Sequence, residues 1–368
     1  MKLVEFIRSW LNRYFAHEEA LLLVLLIAFG LFMVDWLGGV LAPALTALIV
    51  AFILQGAVAA FIRLRVPPMA AVYLAFLLFL TIVAVLLLAV FPLIWQQLAA
   101  FVNALPTMLD QVQVMARGLP DRYPTLLTPQ QIDEWLLAAR AEMLAIGQRL
   151  VTIGFGQIGS VVGILIYLVL VPILVFFFLK DRVLLVRWFQ SLLPDNRPLM
   201  DQVGAEMNLQ IANYMRGKAV EIVIVGMVTY VMLVAMGVNF AALLAILVGF
   251  SVLVPFIGAA VVTIPVALVS FVQFGLTWDF GWVMLWYAII QAIDGNMLVP
   301  LLFSEAVDLH PVAIIVAVLA FGGIWGFWGV FFAIPLASLI KAVLTAWPQT
   351  IPDRDPDPDP DPAPEPSG

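Results

Sequence analysis

The chain contains a series of apolar stretches, most of them long enough to cross the hydrocarbon core of a bilayer, which takes about 20 residues of helix. They fall at 20–36, 40–62, 69–93, 157–179, 219–237, 240–275, 282–303 and 311–346. Only 11% of the 368 residues are charged, whereas soluble domains carry roughly 25%. Because one water-soluble core cannot enclose so much apolar surface, the sequence predicts an all-α, polytopic transmembrane helical protein with about eight membrane elements.

Lysine and arginine residues in the short flanks of the predicted spans indicate the orientation, because cytoplasmic flanks are enriched in them. They precede the first span, separate the second from the third, and follow the fourth. These residues are Lys2, Arg8, Arg13, Arg63, Arg65, Lys180, Arg182, Arg187, Arg197, Arg216 and Lys218. If four spans cross in turn, all three sets lie on one side. This predicts that the N-terminus and the C-terminus are both cytoplasmic.

The chain divides into five predicted parts. Residues 1–93 comprise an amphipathic N-terminal helix, without the cleavage site of a signal peptide, and three spans. Residues 94–156 form an extracytoplasmic helical subdomain, and 157–218 form the fourth span and a cytoplasmic helical linker. Residues 219–346 form the predicted transport unit described below. Residues 347–368 are rich in acids and proline and include an alternating aspartate–proline run, which predicts a disordered acidic tail.

Two apolar stretches, 240–275 and 311–346, are interrupted by glycine and proline. Their second arms resemble one another, since Gly258 leads to TIPVAL and Gly329 leads to AIPLAS. Paired interruptions of this kind point to a transport site, because non-helical backbone at membrane depth needs protein or a wet cavity around it. We predict two re-entrant hairpins, an inverted repeat whose tips approach one another inside the membrane. The alternative is a pair of short full spans at each place.

A polar stripe interrupts one of the predicted spans. Tyr287, Gln291 and Asp294 are spaced to lie on one helix face. Gly295 weakens the helix there, and Pro300 removes a backbone hydrogen bond. An ionised carboxylate at the centre of a membrane helix costs roughly 2.5–3.5 kcal/mol on insertion scales. The stripe therefore predicts a polar binding surface; the alternative is that a protonated or hydrogen-bonded Asp294 only joins helices.

The predicted substrate or ion site combines this stripe with the two interruptions. Its binding residues are Tyr287, Gln291, Asp294, Asn296, Pro255, Gly258, Gly323 and Gly326, and its gating or coupling residues are Arg216, Glu221 and Pro300. For Glu221, an ion pair with Lys218 near the membrane surface is the simpler interpretation. Residues 219–340 contain five acids and no lysine or arginine. An acid without a basic partner can titrate, so antiport of Na⁺ against H⁺ through Asp294 is the alternative function.

Several classes of protein are excluded by what the sequence lacks. It has no cysteine and two histidines, so no disulfide, thiolate nucleophile or histidine-rich metal site is available. Neither a P-loop nor the G-x-S-x-G or H-E-x-x-H pattern is present. We therefore expect no enzyme, no cofactor, no metal and, without a basic block, no nucleic-acid partner. The expected partners are membrane lipid, a small polar solute or cation, and further copies in a homo-oligomer. A non-transporting scaffold built around 94–156 is a third class.

The C-terminal motifs resemble a known family. LVPFIG with IPVAL, and the run from QAIDGNMLVPLLFSEAVDLHP through FGGIWGFWG to AIPLASLIKAVL, are similar to the signature region of the autoinducer-2 exporter family. The likeness covers about residues 1–346. It implies a transporter of the bacterial inner membrane that exports autoinducer-2 by secondary transport; other members are described as sodium/proton antiporters. Family motifs usually carry glutamate where Asp294 stands, and the acidic tail departs from the family pattern.

Overall fold

The computed structural model describes residues 18–117, 161–303 and 309–346, with a few isolated positions between 118 and 160. Residues 1–17 of the predicted N-terminal amphipathic helix, much of the predicted extracytoplasmic subdomain and the predicted acidic tail lie outside the described residues. The described chain is helical, and seven of its helices are long and apolar enough to cross a membrane. The prediction of an all-α, polytopic membrane protein is confirmed.

The helices are numbered in chain order. They are α1 (Glu18–Arg63), α2 (Pro68–Val85), α3 (Phe91–Arg117), α4 (Val161–Lys180), α5 (Arg182–Gln190), α6 (Pro198–Ala235), α7 (Ala241–Ser251), α8 (Ile257–Phe274), α9 (Trp278–Ile293), α10 (Val299–Phe303) and α11 (Pro311–Ala346). Two short π-helical turns connect neighbouring helices without a break. Leu86–Val90 joins α2 to α3, and Asp294–Leu298 joins α9 to α10.

The first two predicted spans, 20–36 and 40–62, are parts of one helix. The residues left between them, 37–39, are helical as well, so α1 continues from Glu18 to Arg63. The predicted break between the two spans is therefore wrong, and the two spans are two arms of one continuous helix. Gly38 and Gly39 lie in this stretch. Each glycine disfavours a helix interior by only about 1 kcal/mol relative to alanine, and tertiary packing can outweigh this cost.

α1 is bent, because both of its ends contact α6. The Glu19 carboxylate accepts a hydrogen bond of 2.8 Å from the backbone N–H of Met200, and Gly56 lies against the side chain of Arg216. A straight α1 would hold Glu19 and Gly56 roughly 55 Å apart, whereas Met200 and Arg216 are about 24 Å apart along α6. Pro43 lies between the two contacts, and a proline inside a helix is a common cause of such a bend.

α6 occupies the centre of the described bundle. Its second half packs against α7, α8 and α9 in an apolar core that includes Val225, Leu233, Leu244, Val266 and Val283. Its first half packs against α1 and α11 through Leu23, Met200, Val203, Met207 and Ala342. A separate cluster joins α1, α2 and α4 and is rich in alanine, which allows close approach of helices in a membrane.

α7 and α8 form the first hairpin. α7 has 11 residues, a length of about 17 Å, which is roughly half the thickness of the hydrocarbon core. The chain reverses through residues 252–256, here called the first turn, where Phe256 has a positive φ of 62°. The two arms leave no room for a side chain at Gly258, because a Cβ atom there would overlap the carbonyl oxygen of Ser251.

α11 forms the second hairpin. Gly326 has φ 58° and ψ −132°, a conformation that glycine adopts readily and other residues do not. The chain folds back on both sides of it, since Gly329 lies against the carbonyl of Phe321 and Gly322 lies against Val330. Residues eight apart in a straight helix would be separated by about 12 Å. The predicted interruption at 311–346 is therefore a reversal of the chain, and residues 323–327 are called the second turn.

The two hairpins lie at opposite ends of α6. The ends of the first hairpin adjoin the C-terminal end of α6, where the Gln273 side chain donates to the carbonyl of Gly237 at 2.7 Å and accepts from the N–H of Asn239 at 2.8 Å. The second arm of the second hairpin ends beside the N-terminal end of α6, where Ala342 packs with Leu199. The hairpins thus point in opposite directions along the same helix.

Candidate substrate site

Lys218 and Glu221 form an enclosed ion pair on α6. Lys218 Nζ lies 2.8 Å from Glu221 Oε2, and the two side chains are 7% and 2% exposed. The same ammonium group donates a hydrogen bond of 2.8 Å to the carbonyl of Val252 in the first turn. The predicted pairing is confirmed, and the first hairpin covers the pair. Two charges are seldom removed from solvent without a specific requirement.

The aromatic side chains next to this pair connect α6 to α10 and to the second hairpin. The Phe303 ring centroid lies 5.2 Å from Lys218 Nζ and 5.8 Å from the Tyr214 ring. The Tyr214 hydroxyl donates to the carbonyl of Phe331 at 3.2 Å. Residues 214–221, here called the α6 junction, therefore contact both hairpins and α10.

The two hairpins contact α6 one helical turn apart, but the second turn itself lies beside α1. The first turn contacts Lys218. The second hairpin contacts Tyr214, one helical turn below Lys218, through Phe331. The second turn precedes Phe331 and lies beside α1, where Trp325 and Trp328 share a cavity with α1 residues. The predicted site residues Gly323 and Gly326 are thus placed beside α1, whereas Pro255 and Gly258 are in or next to the turn at Lys218.

Asp294 lies on the π turn after α9 and completes the charged group at the α6 junction. Its Oδ1 atom is buried and has no hydrogen-bond partner among the residues that the structure describes. It interacts electrostatically with both Lys218 and Glu221. The antiport hypothesis assumed an acid without a basic partner, and this assumption is wrong: Lys218 precedes the base-free segment by one residue and supplies the positive charge.

The π turn at Asp294 has a local cause in the sequence. The N–H of Val299 bonds to the Asp294 carbonyl five residues earlier, and Pro300 follows. Proline lacks an N–H and its ring clashes with the carbonyl four residues before it, so a wider turn accommodates it. The π turn Leu86–Val90 has the same arrangement before Pro92. The widened turn carries the carboxylate of Asp294 and the amide of Asn296, which donates to the Ala292 carbonyl at 2.8 Å.

The other two members of the predicted polar stripe, Tyr287 and Gln291, form hydrogen bonds with other side chains. Gln291 Nε2 donates to the Tyr287 hydroxyl at 2.8 Å, and this hydroxyl lies 3.1 Å from the Thr263 hydroxyl on α8. The chain of three groups ties α9 to the second arm of the first hairpin. Within the stripe, Asp294 is the residue that retains an unpartnered buried atom.

We expect Tyr287→Phe to lower the free energy of unfolding by about 1 kcal/mol, the usual value of a lost intramolecular hydrogen bond. The change removes the hydroxyl that Gln291 and Thr263 share and keeps the ring. The midpoint of denaturant-induced unfolding in detergent micelles measures it. Tyr230→Phe is the matched control, since this exposed tyrosine on α6 is expected to tolerate the change. Equal midpoints for both variants would contradict the prediction.

Arg216, predicted as a gating residue, bonds within its own helix. Its Nε donates to the Ala212 carbonyl and its Nη2 donates to Asn213 Oδ1, both at 2.9 Å. Its aliphatic part lies against Gly56 of α1. Arg216 therefore lies at the contact between α1 and α6, on the same helical segment as Lys218.

Sequence reasoning omitted three contributors to the site: Tyr214, the Val252 carbonyl and Phe303. It named Lys218 as the partner of Glu221 but did not count it among the site residues. No group of three or more acidic or histidine side chains that could hold a metal ion occurs in the described part of the chain.

A bundle of seven long apolar helices in the described chain defines a multi-pass membrane protein. The sequence matches the AI-2E family of transporters over residues 20–349. The chain is therefore a member of the AI-2E transporter family.

Three relatives illustrate the match. The chain is 43% identical over 347 residues to the putative permease PerM of Escherichia coli K12, which covers 94% of this chain and 98% of PerM. It is 25% identical over 326 residues to the AI-2 transport protein TqsA of E. coli K12, covering 85% and 88%. It is 24% identical over 307 residues to the putative transport protein YueF of Bacillus subtilis 168, covering 82% of each.

Proposed function

We propose that this protein exports a small polar solute of the autoinducer-2 kind across the bacterial inner membrane by secondary transport, with the α6 junction as its binding site. The observation that carries the proposal is the enclosed Lys218–Glu221 pair beneath the first turn, with the unpartnered carboxylate oxygen of Asp294 close enough to interact with it. The printed name of the relative TqsA supports the substrate class.

The chemistry of the α6 junction suits a hydroxyl-rich molecule. A furanosyl solute carries hydroxyl groups that donate to a carboxylate, and Asp294 Oδ1 has a free acceptor position among the described residues. The oxygens of the solute can in turn accept hydrogen bonds from Lys218, whose ammonium group has three donors. Polar groups that are buried with fixed partners discriminate strongly against a ligand that leaves them unpaired.

We propose in addition that both hairpins are re-entrant. The short first arm of the first hairpin supports this, since about 17 Å of helix cannot cross roughly 30 Å of hydrocarbon. The opposite directions of the hairpins along α6 also support an inverted repeat. The proposed orientation keeps both termini in the cytoplasm, and the ends of α1 and α4 that carry Arg63 and Lys180 belong to one packed cluster with the start of α2.

A single cysteine at Val254, in the first turn, is expected to resist a membrane-impermeant maleimide from either side. The chain has no native cysteine, so Val254→Cys reports on this position alone. Thr277→Cys, after the first hairpin, is expected to react from outside, and Ser191→Cys, after α5, only in opened cells. Rapid labelling of Val254→Cys from the cytoplasm would show that the hairpin consists of two full spans.

The transport proposal is tested in cells that produce autoinducer-2 and lack their own members of this family. Expression of the wild-type chain is expected to lower the ratio of internal to external signal, and Asp294→Asn is expected to reduce the export rate about tenfold. Asp279→Asn is the matched control, because this acid begins α9 and is exposed. An unchanged ratio with wild-type protein folded in the membrane would refute the proposed solute. Full export by Asp294→Asn would refute the site alone.

A further inference from the structure

A second cavity lies between α1 and the second hairpin, away from the α6 junction. Its volume is about 450 Å³, within the range of pockets that hold drug-sized ligands. Leu31, Val34, Asp35, Gly38, Gly39 and Leu45 of α1 line one wall, and Ile324, Trp325, Trp328, Phe332 and Leu336 of the second hairpin line the other. The lining is apolar apart from one carboxylate and the edges of two indoles.

Asp35 is the charged member of this wall. It is the only acidic or basic residue between Glu19 and Arg63, in a helix that is otherwise almost wholly apolar. It has no ion pair and no hydrogen bond among the residues that the structure describes. Asp35 is exposed and lines the cavity, so its carboxylate is accessible to an opposite charge. The cavity therefore presents one unbalanced negative charge to whatever enters it.

The opposite wall is aromatic and carries a free donor. Trp325 stacks on Phe321 at 5.7 Å, and Trp328 stacks on Phe332 at 6.3 Å, so the rings are held in place by their neighbours. The Nε1–H of Trp325 is buried and has no acceptor within the described part of the chain. Tryptophan is the side chain that attracts cations most strongly through its ring face. A carboxylate on one wall with indole rings on the other is the chemistry that recognises an organic cation.

We infer that this cavity binds a lipophilic organic cation, whose charge lies near Asp35 and whose apolar or aromatic body lies against Trp325 and Trp328. The commitment to a cation rests on charge complementarity. An acyl chain of a lipid would leave Asp35 unmatched, as would the apolar surface of a second copy. The site is separate from the α6 junction, so it does not depend on the proposed export function.

The test uses the full-length chain in nanodiscs of phosphatidylcholine, a lipid without net charge. The probe is rhodamine 6G, a fluorescent lipophilic cation, and its binding is followed by fluorescence anisotropy against empty nanodiscs. Competition compares tetraphenylphosphonium, which is charged, with triphenylphosphine oxide, which is neutral. Three variants address the cavity: Asp35→Asn removes the charge, Asp35→Glu retains it, and Gly38→Leu fills the space. An added Cβ at Gly38 meets no atom within 4 Å, so the helix is expected to accept the larger side chain.

The wild type is expected to bind the probe saturably at one site. Asp35→Asn is expected to weaken binding about tenfold, the effect of losing one favourable charge contact near an aromatic wall. Asp35→Glu is expected to stay within about threefold of the wild type, and Gly38→Leu to abolish saturable binding. Tetraphenylphosphonium is expected to displace the probe, and the neutral oxide is not. Asp279→Asn is the control acid and is expected to bind as the wild type does.

Several results would overturn the inference. Unchanged affinity in Asp35→Asn, or equal displacement by the neutral oxide, would show a groove that takes any lipophile. A lipid that native mass spectrometry finds retained in the wild type and lost from Gly38→Leu would identify an acyl chain as the occupant. A change of oligomeric state in Gly38→Leu would identify a second copy. If Gly38→Leu does not fold, the pair Asp35→Asn and Asp35→Glu still decides the role of charge.

Discussion

Replacing Lys218 by methionine is expected to lower the free energy of unfolding by about 3–5 kcal/mol, the usual cost of removing one partner of a buried ion pair. The change leaves the Glu221 carboxylate, 2% exposed, without the ammonium group that now lies 2.8 Å away. It also removes the hydrogen bond that holds the Val252 carbonyl of the first turn. Methionine keeps much of the lysine volume, so packing is largely preserved. The unfolding midpoint of the purified chain in detergent micelles measures the loss.

The double variant Lys218→Met with Glu221→Met separates charge from packing. Replacing both members of a buried pair with apolar residues is often neutral, so we expect it to recover most of the loss. Asp201→Asn is the matched surface control. It removes an ion pair with Arg197 at 3.0 Å in which Asp201 is 59% exposed, and we expect a loss of no more than about 1 kcal/mol. A Lys218→Met midpoint equal to that of Asp201→Asn would show that the pair is not enclosed.

Alanine at Gly258 or at Gly329 is expected to have the second large effect, a loss of about 3 kcal/mol of unfolding free energy through overpacking. A methyl group at Gly258 would overlap the carbonyl oxygen of Ser251, and one at Gly329 would overlap that of Phe321. Both obstacles are backbone atoms of the opposite arm, which cannot rotate away as a side chain can. Each hairpin would have to open, and we expect both variants to lose export activity.

Gly281→Ala provides the control for this pair. Gly281 lies inside α9, and an added Cβ there meets nothing within 4 Å. Alanine favours a helix over glycine by about 1 kcal/mol, so the midpoint is expected to stay the same or to rise slightly. If Gly258→Ala unfolded at the midpoint of Gly281→Ala, the close contact between the arms of the first hairpin would be contradicted.

The sequence was sufficient to predict the chain reversals. At 240–275 and 311–346, glycine and proline interrupt apolar runs that are too long for one span, and the structure reverses near both interruptions. The glycines at 258 and 329, noted because similar residues follow them, close the two hairpins in the same manner. The helical continuity of α1 was not predictable, because Gly38, Gly39 and Pro43 favour a break, and the contacts of α1 with α6 are not revealed by any local pattern in the sequence.

The site was predictable to the extent that charge identifies it. Glu221 and Asp294 were selected because a carboxylate in an apolar run requires an explanation, and the structure places both near Lys218. Tyr214 and Phe303 could not be selected, because an aromatic residue in such a run is ordinary. The Val252 carbonyl could not be selected either. Every residue has a carbonyl group, and only the folded turn determines which one Lys218 reaches.

The continuity of α6 limits which parts of the protein can rock in a transport cycle. The helix runs from Pro198 to Ala235 without interruption at residue 219, where the predicted transport unit begins. α1 contacts it at Met200 and at Arg216. If residues 219–346 rocked as one block against the rest of the protein, α6 would have to bend or break near residue 219. We therefore expect the hairpins to be the parts that move in such a cycle. Gly237 and Gly275 flank the first hairpin with φ angles of 66° and 65°, a conformation that glycine adopts readily.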